Sequence, residues 1–393
     1  MTGKGITMNK AKQCMLLVDD EPNITNAIRR ELADWAQERS IEIVTATSAH
    51  IGLNMLETRG SSTAVIISDL KMPEMKGSDF LLAVKEKYPH IVSILLTGYS
   101  DTEEVIKAVS AGIFSYILKP WDSAFLQAQV QKAYDHGQAL RQNAEYLTTM
   151  MEELKWAGEM QKAILKPNIV KSDGVEFRTS YRPVPGLYCG GDYYDVIFLG
   201  ADRYLLLIGD VAGHGVKAAF ITGILKAIIY PEYVRGTMGK IFSPGAFLSW
   251  LNDRMNFEFR STSSMLITFF AGVLDLKNLT LQYANAGHDH PYVIRGGVPS
   301  ELLVSGTGLG FVQSVVYPEQ TVRLHAGDVL LLYTDGLVEL NCHEGKDLVK
   351  MMPLLKKVAP GDDYHRRLLS AALADAGAAE FSDDVTLLTA KLE

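Results

Sequence analysis

The sequence predicts an α/β domain built on a five-stranded parallel sheet, followed by a long helix and a second, larger domain. Short β-branched runs alternate with helical patterns over residues 15–120, which is typical of strands buried on both faces of a parallel sheet. Beyond them, apolar or small residues recur with a 3.5-residue period, and acidic residues then follow strand-like runs. A chain of 393 residues is long enough for two or three domains.

Composition limits the possible classes of function. Apolar residues make up 47% and charged residues 21% of the chain, as in ordinary soluble proteins. The net charge of −8 argues against nucleic-acid binding, which needs basic surfaces. The longest apolar run, near Met265–Leu274, is far shorter than the roughly 18 residues of a membrane span. Residues Met1–Lys12 do not resemble a signal peptide. Unpaired Cys14, Cys189 and Cys342 fit a reducing cytoplasm, so we expect a cytoplasmic protein with no membrane partner.

Polar residues stand at the ends of the strands predicted in the N-terminal third. The predicted strands are Met15–Val18, Ile41–Thr45, Ala64–Ser68, Ser93–Leu96 and Ser115–Leu118. Helical patterns such as Asn23–Gln37 and Thr102–Ala111 separate them. The candidate site residues that follow these strands are Asp19, Asp20, Asp69, Thr97 and Lys119. Because ligands bind at the carboxyl ends of parallel strands, we expect these side chains to lie close together.

Three carboxylates at one edge of a sheet repel one another and need a cation. Mg²⁺ together with Lys119 would offset this charge and stabilise an aspartyl phosphate. Asp19 and Asp20 alone fit another role equally, because Asp also caps helices such as the one that follows them. The additional presence of Asp69, Thr97 and Lys119 at strand ends favours the phosphate-handling site.

These five residues resemble the site of response-regulator receiver domains. The resemblance covers about residues 12–133, and we assign the domain itself to residues 12–122. It implies a flavodoxin-like fold with Mg²⁺ held by Asp19, Asp20 and Asp69. It also implies that Asp69 is the phosphoacceptor for a sensor histidine kinase or a phosphotransfer protein.

The same resemblance assigns residues that respond to phosphorylation. Thr97 would contact the added phosphoryl oxygen, and Lys119 would pair with the phosphate. Tyr116 matches an aromatic side chain whose rotamer reports phosphorylation in the family. The peptide bond Lys119-Pro120 matches one that is usually cis in receiver domains, as X-Pro bonds can be.

The segment 123–167 predicts a helical linker. Its apolar or small residues are spaced alternately by four and three positions: Leu126, Val130, Ala133, Gly137, Leu140, Ala144, Leu147, Met151 and Leu154. This period is typical of a two-stranded coiled coil and favours a parallel homodimer. The alternative is one amphipathic helix packed along its own chain.

Acidic residues of the C-terminal half lie in segments of small or turn-forming residues. The candidates are Asp192, Asp195, Asp210, Asp335 and Asp383. Each segment alone fits an ordinary turn, but carboxylates delivered on turns at strand ends also suit hard divalent cations. Two such ions would activate a water molecule for attack on a phosphoryl group.

Taken in order, these segments resemble the metal-dependent (PPM) Ser/Thr protein phosphatases, specifically the bacterial SpoIIE/RsbU-type branch. The resemblance covers residues 168–393 and includes Asn285-Ala286-Gly287-His288. It implies an α+β domain with a β-sandwich flanked by helices, and two Mn²⁺ or Mg²⁺ ions in the phosphatase site. The arginine that holds substrate phosphate in the animal enzymes has no counterpart here, as in the rest of this branch.

The resemblance also distributes the metal ligands. Asp210 would bridge both ions, and Asp192 and the carbonyl of Val211 would bind one of them. The other ion would be held by Asp335 and Asp383. Asp195 and Asp384 are assigned to hydrogen bonds with metal-bound water. For His214 and His288, we expect structural hydrogen bonds, with an acid or base role as the alternative.

The combination implies a phosphorylation-controlled response regulator with a serine/threonine phosphatase as its output domain. Its implied substrate is a phosphorylated anti-sigma-factor antagonist. The alternative is an RssB-type adaptor that binds a sigma factor, because Leu118–Asp122 is similar to receivers of that group. Glu159–Pro167 resembles the helix leading into RsbU-type domains, which implies that the linker transmits phosphorylation of Asp69 to the phosphatase.

Overall fold

The structure, a computed structural model, describes residues 12–98, 105–106, 108–109, 112–237, 240–259, 266–340 and 349–393. The chain divides into two compact units, Met1–Thr149 and Met150–Glu393. Within the described ranges, no helix combines the length and apolar character needed to cross a membrane. The predicted helix Thr102–Ala111 and the position of Cys342 lie largely or wholly outside these ranges.

The first unit is built on a parallel sheet with the strand order β2-β1-β3-β4-β5. Its strands are β1 (Cys14–Val18), β2 (Glu42–Ala46), β3 (Thr63–Asp69), β4 (Val92–Thr97) and β5 (Ser115–Leu118). Both faces are buried, since Met15 and Leu17 of β1 pack into one apolar cluster and Leu16 and Val18 into another. The five predicted strands are therefore confirmed, with ends shifted by a residue or so.

Helices cover the two faces of this sheet. They include α1 (Pro22–Glu31), α2 (Ala33–Glu38), α3 (Ala49–Arg59) and α4 (Gly77–Lys87). The predicted helix Asn23–Gln37 is thus interrupted at Leu32, where φ is −98° and ψ is 3°. The Leu32 side chain is fully buried, so core packing coincides with the break.

A single 43-residue helix, α5 (Ser123–Leu165), follows the sheet. Its first apolar positions, Leu126, Val130 and Ala133, are fully buried in the core of the first unit. The coiled-coil prediction was wrong for these turns, because they pack along their own chain and cannot face a partner. Leu147 and Met151, further along the helix, remain 59% and 60% exposed.

The second unit contains two antiparallel five-stranded sheets with strand orders β13-β10-β9-β8-β7 and β12-β11-β14-β15-β6. The first sheet is formed by β7 (Asp192–Gly200), β8 (Arg203–Val211), β9 (Ile267–Asp275), β10 (Thr280–Ala286) and β13 (Gln320–Arg323). The second is formed by β6 (Val175–Arg182), β11 (Tyr292–Arg295), β12 (Val298–Glu301), β14 (Val329–Tyr333) and β15 (Val385–Leu392).

Side-chain alternation builds a layered sandwich from these sheets. In β8, Tyr204, Leu206 and Ile208 join the apolar cluster shared with the second sheet. Leu205 and Leu207 point to the other face and join the cluster that contains helix residues. The second sheet likewise shares residues with helices on its outer face, so the order of layers is helix, sheet, sheet, helix.

Helices of this unit form the two outer layers. They are α6 (Val216–Ile228), the π-helical turn Ile229–Val234, α7 (Arg235–Thr237), α8 (Pro244–Glu258), α9 (Met351–Lys357) and α10 (Tyr364–Ala376). The predicted sandwich flanked by helices is confirmed.

The burial of the first turns of α5 can be tested by replacing one of their buried side chains with alanine. We expect Leu126→Ala to lower the free energy of unfolding by about 2–5 kcal/mol, because it leaves a cavity in a closed core. Leu147→Ala is the matched control and should leave the stability of the first unit nearly unchanged. Chemical denaturation of the full chain measures both, and a larger loss for Leu147→Ala would contradict this packing.

Candidate functional site

The first unit brings Asp19, Asp69 and Lys119 together at the carboxyl ends of β1, β3 and β5. The Lys119 ammonium donates to Asp19 Oδ2 at 2.8 Å and to Asp69 Oδ1. Asp19 is almost fully buried, and Asp69 is largely so. Burial raises the pKa of Asp69, and the bonds from Lys119 oppose that rise. Burial lowers the pKa of Lys119, but the bonds to Asp19 and Asp69 have the larger combined effect, and the pKa is raised.

The other predicted receiver residues lie where the sequence placed them. Thr97 is buried at the end of β4, next to β5. Asp20 is exposed beside Asp19, and Tyr116 is 43% exposed on β5. The Lys119-Pro120 peptide bond is cis, as the resemblance implied.

In the second unit, Asp192 and Asp210 face each other across neighbouring strands. Asp192 begins β7 and pairs directly with Asp210 near the end of β8. The turn before Asp192 is closely packed, since a Cβ on Gly191 would lie 2.3 Å from the carbonyl oxygen of Val211. Only glycine fits there, and the predicted ligand Val211 O therefore lies against this turn.

Asp192 is bound by hydroxyl groups from the opposite sheet. Thr334 and Thr386 donate to Asp192 Oδ2 at 2.9 Å and 2.7 Å. Thr334 Oγ1 also accepts from the amide of Thr386 at 2.8 Å. The sequence analysis did not predict a role for either threonine, although Thr334 directly precedes the predicted ligand Asp335 and Thr386 lies three residues after Asp383. Their hydroxyls join the two sheets at the acidic end of the sandwich.

Burial and mutual repulsion perturb the carboxylates at this end. Burial, and then Asp210, raise the pKa of Asp192 well above its usual range. Burial, followed by the charges of Asp335 and Asp383, raises the pKa of Asp210 to about 8. For Asp335, burial and Asp383 raise the pKa to about 7. The four predicted ligands therefore belong to one electrostatic cluster.

Asp289 is an additional member of this electrostatic cluster, and the sequence analysis did not predict it. Its charge raises the pKa of Asp210 and of Asp335, and burial raises its own pKa. It directly follows the Asn285–His288 segment that was singled out. Its position as an acidic residue next to that segment was the feature by which the sequence could have identified it.

Asp384 and Asp195 differ in what they bind. Asp384 accepts from the amides of Gly191 and Val184 at 2.7 Å and 2.9 Å, so it holds the turn before Asp192. Asp195 lies on the opposite face of β7 and pairs with Lys226 of α6 at 2.6 Å. These contacts give Asp195 a role in docking α6, in place of the predicted bond to metal-bound water.

His288 is a structural residue in this arrangement. Its Nδ1 lies 2.8 Å from Thr268 Oγ1, and its Nε2 lies 3.1 Å from the carbonyl oxygen of Tyr333. Burial lowers its pKa to about 4, so the ring is neutral near pH 7. His214 is exposed. Burial raises the pKa of Asp384, and the bonds from the Val184 and Gly191 amides oppose that rise.

The acidic end has the donor chemistry of a divalent-cation site. Asp192 Oδ1 is buried and has no hydrogen-bond partner among the described residues, which is an unusual state for a carboxylate oxygen. Asp210, Asp335 and Asp383 carry further oxygen donors of the kind that Mg²⁺ and Mn²⁺ prefer. In the described part of the chain, no three His, Cys, Asp or Glu side chains form a group that could hold a metal ion, so a cation site is supported by the chemistry of these carboxylates alone.

The last turns of α5 contact the turn that precedes Asp192. Gln161 is buried, and its Nε2 donates to the carbonyl oxygen of Gly190 at 2.7 Å and to Thr222 of α6 at 2.9 Å. Its Oε1 accepts from the amide of Gly190 at 3.1 Å and from Tyr181 at 3.2 Å. One side chain of α5 therefore links that helix to α6 and to the turn that precedes Asp192.

Family models match both parts of the chain. One described as "Response regulator receiver domain" matches residues 15–131, and one described as "Stage II sporulation protein E (SpoIIE)" matches residues 200–393. Residues 15–131 therefore form a response-regulator receiver domain. The C-terminal part of the chain belongs to the SpoIIE family of PPM phosphatase domains.

Individual relatives cover parts of the chain. HoxA, a hydrogenase transcriptional regulatory protein of Cupriavidus necator, is 36% identical over 129 residues, which are 33% of this chain and 25% of HoxA. Protein IcfG of Synechocystis is 27% identical over 177 residues, which are 39% of this chain and 28% of IcfG. The chain thus spans about a quarter of the length of these curated relatives.

A solved structure supports the fold of the second unit. The SiaA-PP2C domain of Pseudomonas aeruginosa aligns with a TM-score of 0.52 and 20% identity. The alignment covers 64% of this chain and all of that domain. At this identity the likeness shows a shared PP2C-like fold.

The bond from Thr386 to Asp192 can be tested with a nearly isosteric pair of variants. We expect Thr386→Val to lower the free energy of unfolding by about 1–3 kcal/mol, because it removes a donor to a buried carboxylate. Thr386→Ser keeps the hydroxyl and should lose less. Thermal and chemical denaturation compare the two, and equal losses would exclude the hydrogen bond as the cause.

Proposed function

We propose that this protein is a phosphorylation-controlled Mn²⁺- or Mg²⁺-dependent protein serine/threonine phosphatase. The observation that carries the proposal is the acidic end of the sandwich, where Asp192, Asp210, Asp335 and Asp383 share one electrostatic cluster. Burial of like charges is unfavourable unless cations or protons offset them. The SpoIIE family assignment and the PP2C-like fold agree with this activity.

In this proposal each carboxylate has a defined task. Asp210 would help to hold both cations, one together with Asp192 and the Val211 carbonyl, and the other together with Asp335 and Asp383. Such cations supply Lewis-acid stabilisation of phosphoryl charge and activate the attacking water. Thr334 and Thr386 would orient Asp192 by occupying Oδ2, which leaves Oδ1 for a cation.

The receiver would control this output domain. Asp69 is the proposed phosphoacceptor, with an Mg²⁺ ion held by Asp19, Asp20 and Asp69. Lys119 already bonds to both Asp19 and Asp69, so phosphorylation of Asp69 would change its partners. Thr97 and Tyr116 would respond to the phosphoryl group, and the donor would be a histidine kinase or phosphotransfer protein.

The substrate class and assembly state are also proposals. By resemblance, we infer a cytoplasmic phosphoprotein substrate of the anti-sigma-factor antagonist type. Homodimerisation would use the part of α5 beyond Leu140, where Leu147 and Met151 are exposed. Retention of the full carboxylate set disfavours a purely adaptor role, which would not require it.

Phosphatase activity of the full chain is the direct test. Hydrolysis of an aryl phosphate, and of a phosphoserine protein of the proposed class, should require Mn²⁺ or Mg²⁺ and fall at least about 100-fold in Asp210→Asn, because that change removes the proposed bridging ligand. The exposed control Asp173→Asn should retain activity. A small-molecule phosphodonor should change the rate in the native chain and leave Asp69→Asn unaffected. Metal-independent activity, or none in any condition, would refute the proposal.

Gln161 tests whether α5 supports the metal site. We expect Gln161→Leu to raise the Mn²⁺ concentration needed for half-maximal activity by roughly 10- to 100-fold, as for other residues that orient metal ligands. It should also weaken the response to the phosphodonor. Gln142→Leu, an exposed position on the same helix, is the control. Unchanged metal dependence in Gln161→Leu would contradict a supporting role, and circular dichroism would check its folding.

A further inference from the structure

A loop of the second unit presents apolar side chains to solvent near the acidic cluster. The loop runs from Leu309 to Tyr317, and both of these side chains are buried in the apolar cluster that contains α8. Between them, Phe311, Val312 and Val316 are 61%, 52% and 86% exposed. Single exposed apolar side chains are common on protein surfaces, but several in one short segment indicate a binding surface.

The backbone of this loop is held by side chains of α8. Asn252 is fully buried; its Nδ2 donates to the carbonyl oxygen of Val312 at 2.8 Å, and its Oδ1 accepts from the amide of Gly310 at 3.0 Å. Asp253 Oδ1 accepts from the amide of Ser314 at 3.0 Å. Because α8 holds the loop at three points, the exposed side chains are presented in a defined position, which lowers the ordering cost of binding.

Strand neighbours connect the loop to the acidic cluster. Val211 pairs with Ile267 of β9, and Ile267 pairs with Leu309 on its other edge. Neighbouring strands lie about 4.8 Å apart, so Leu309 lies roughly 10 Å from Val211, whose carbonyl is a proposed cation ligand. Phe311 and Val312 follow Leu309 directly in the sequence, so they lie within reach of a peptide whose phosphoryl group is bound at the cluster.

Leu266 extends the apolar surface from the loop toward the cluster. Its carbonyl oxygen accepts from the amide of Ala212 at 2.9 Å, and Ala212 directly follows Val211. A Cβ on Gly308 would lie 2.7 Å from Leu266 Cδ1, so the Leu266 side chain packs over the start of the loop. Leu266 is itself 39% exposed. Apolar surface therefore lies on the path between the proposed ligand and Phe311.

We propose that Leu266, Phe311 and Val312 form a docking surface for apolar side chains that flank the phosphorylated residue of a protein substrate. The inference rests on the proposed phosphatase function, because the phosphoryl group would be bound at the carboxylates while the flanking segment crosses to the loop. An extended chain advances about 3.3 Å per residue, so the docked side chain would stand about three to five residues from the phosphorylated one. This position beside the cluster favours a substrate over a second copy of the chain as the occupant.

Two phosphoserine peptides and an aryl phosphate test this surface in the full chain with Mn²⁺. One peptide carries leucines about three to five residues to either side of the phosphoserine, and the other carries serines there. We expect kcat/KM to be about tenfold higher for the leucine peptide, mainly through KM, which is the size expected for one docked apolar side chain.

A pair of variants assigns this preference to the loop. Phe311→Ser should lower the ratio of kcat/KM for the leucine peptide to that for the aryl phosphate by about tenfold, because the aryl phosphate is too small to reach the loop. Val298→Ser is the matched control. Val298 is a 67% exposed residue of β12, and its replacement should leave that ratio as in the native chain.

Photo-crosslinking separates failure of this inference from failure of the proposed function. A benzophenone side chain in place of a leucine of the peptide should attach to residues 308–316, and this result does not depend on hydrolysis. Absence of hydrolysis of every substrate would refute the phosphatase. Equal rates for the two peptides, a ratio that Phe311→Ser leaves unchanged, or attachment outside residues 308–316 would overturn the docking surface alone. A dimer that Phe311→Ser converts to a monomer in light scattering would overturn it in favour of a second copy.

Discussion

The buried carboxylate of Asp192 determines how the second unit is closed at its acidic end. Asp192 belongs to the first sheet, whereas its donors lie on the second: Thr386 is part of β15, and Thr334 directly follows β14. A buried charge without such partners would cost several kcal/mol. The two hydroxyls thus fix the relative position of the sheets where the candidate site is formed, and they leave one oxygen of Asp192 unpartnered.

The same constraint explains the small residues around this carboxylate. Gly191 passes so close to the Val211 carbonyl that no side chain fits, and Asp384 holds its amide from the second sheet. Asp210 and Asp335 then approach each other in surroundings that raise the pKa of both. Placing these like charges close together is unfavourable for folding, and such a local cost is expected of a functional site.

The sequence was informative where local patterns decide the structure. Residues such as Asp19, Asp69 and Lys119 were located correctly because parallel strands must bring their carboxyl ends to one edge. Thr386 was missed because its partner Asp192 is 194 positions away and its hydroxyl has no distinguishing local pattern. The apolar positions that begin at Leu126 were wrongly assigned to a coiled coil, because a 3.5-residue period over a few turns also fits a helix packed on its own domain.

Helix α5 gives the proposed control mechanism a physical basis. Its first turns are fixed by Leu126 and Val130 in one core, and its last by Gln161 and Leu165 in the other. A continuous helix of 43 residues extends roughly 60 Å at 1.5 Å per residue. Because its hydrogen bonds resist bending and stretching, we propose that a change near Asp69 would reach Gly190 mainly as rotation or displacement of this helix. Such a movement would alter the four hydrogen bonds of Gln161. The exposed middle turns of the helix have few contacts to lose, so the effect would be concentrated at the turn that positions Asp192.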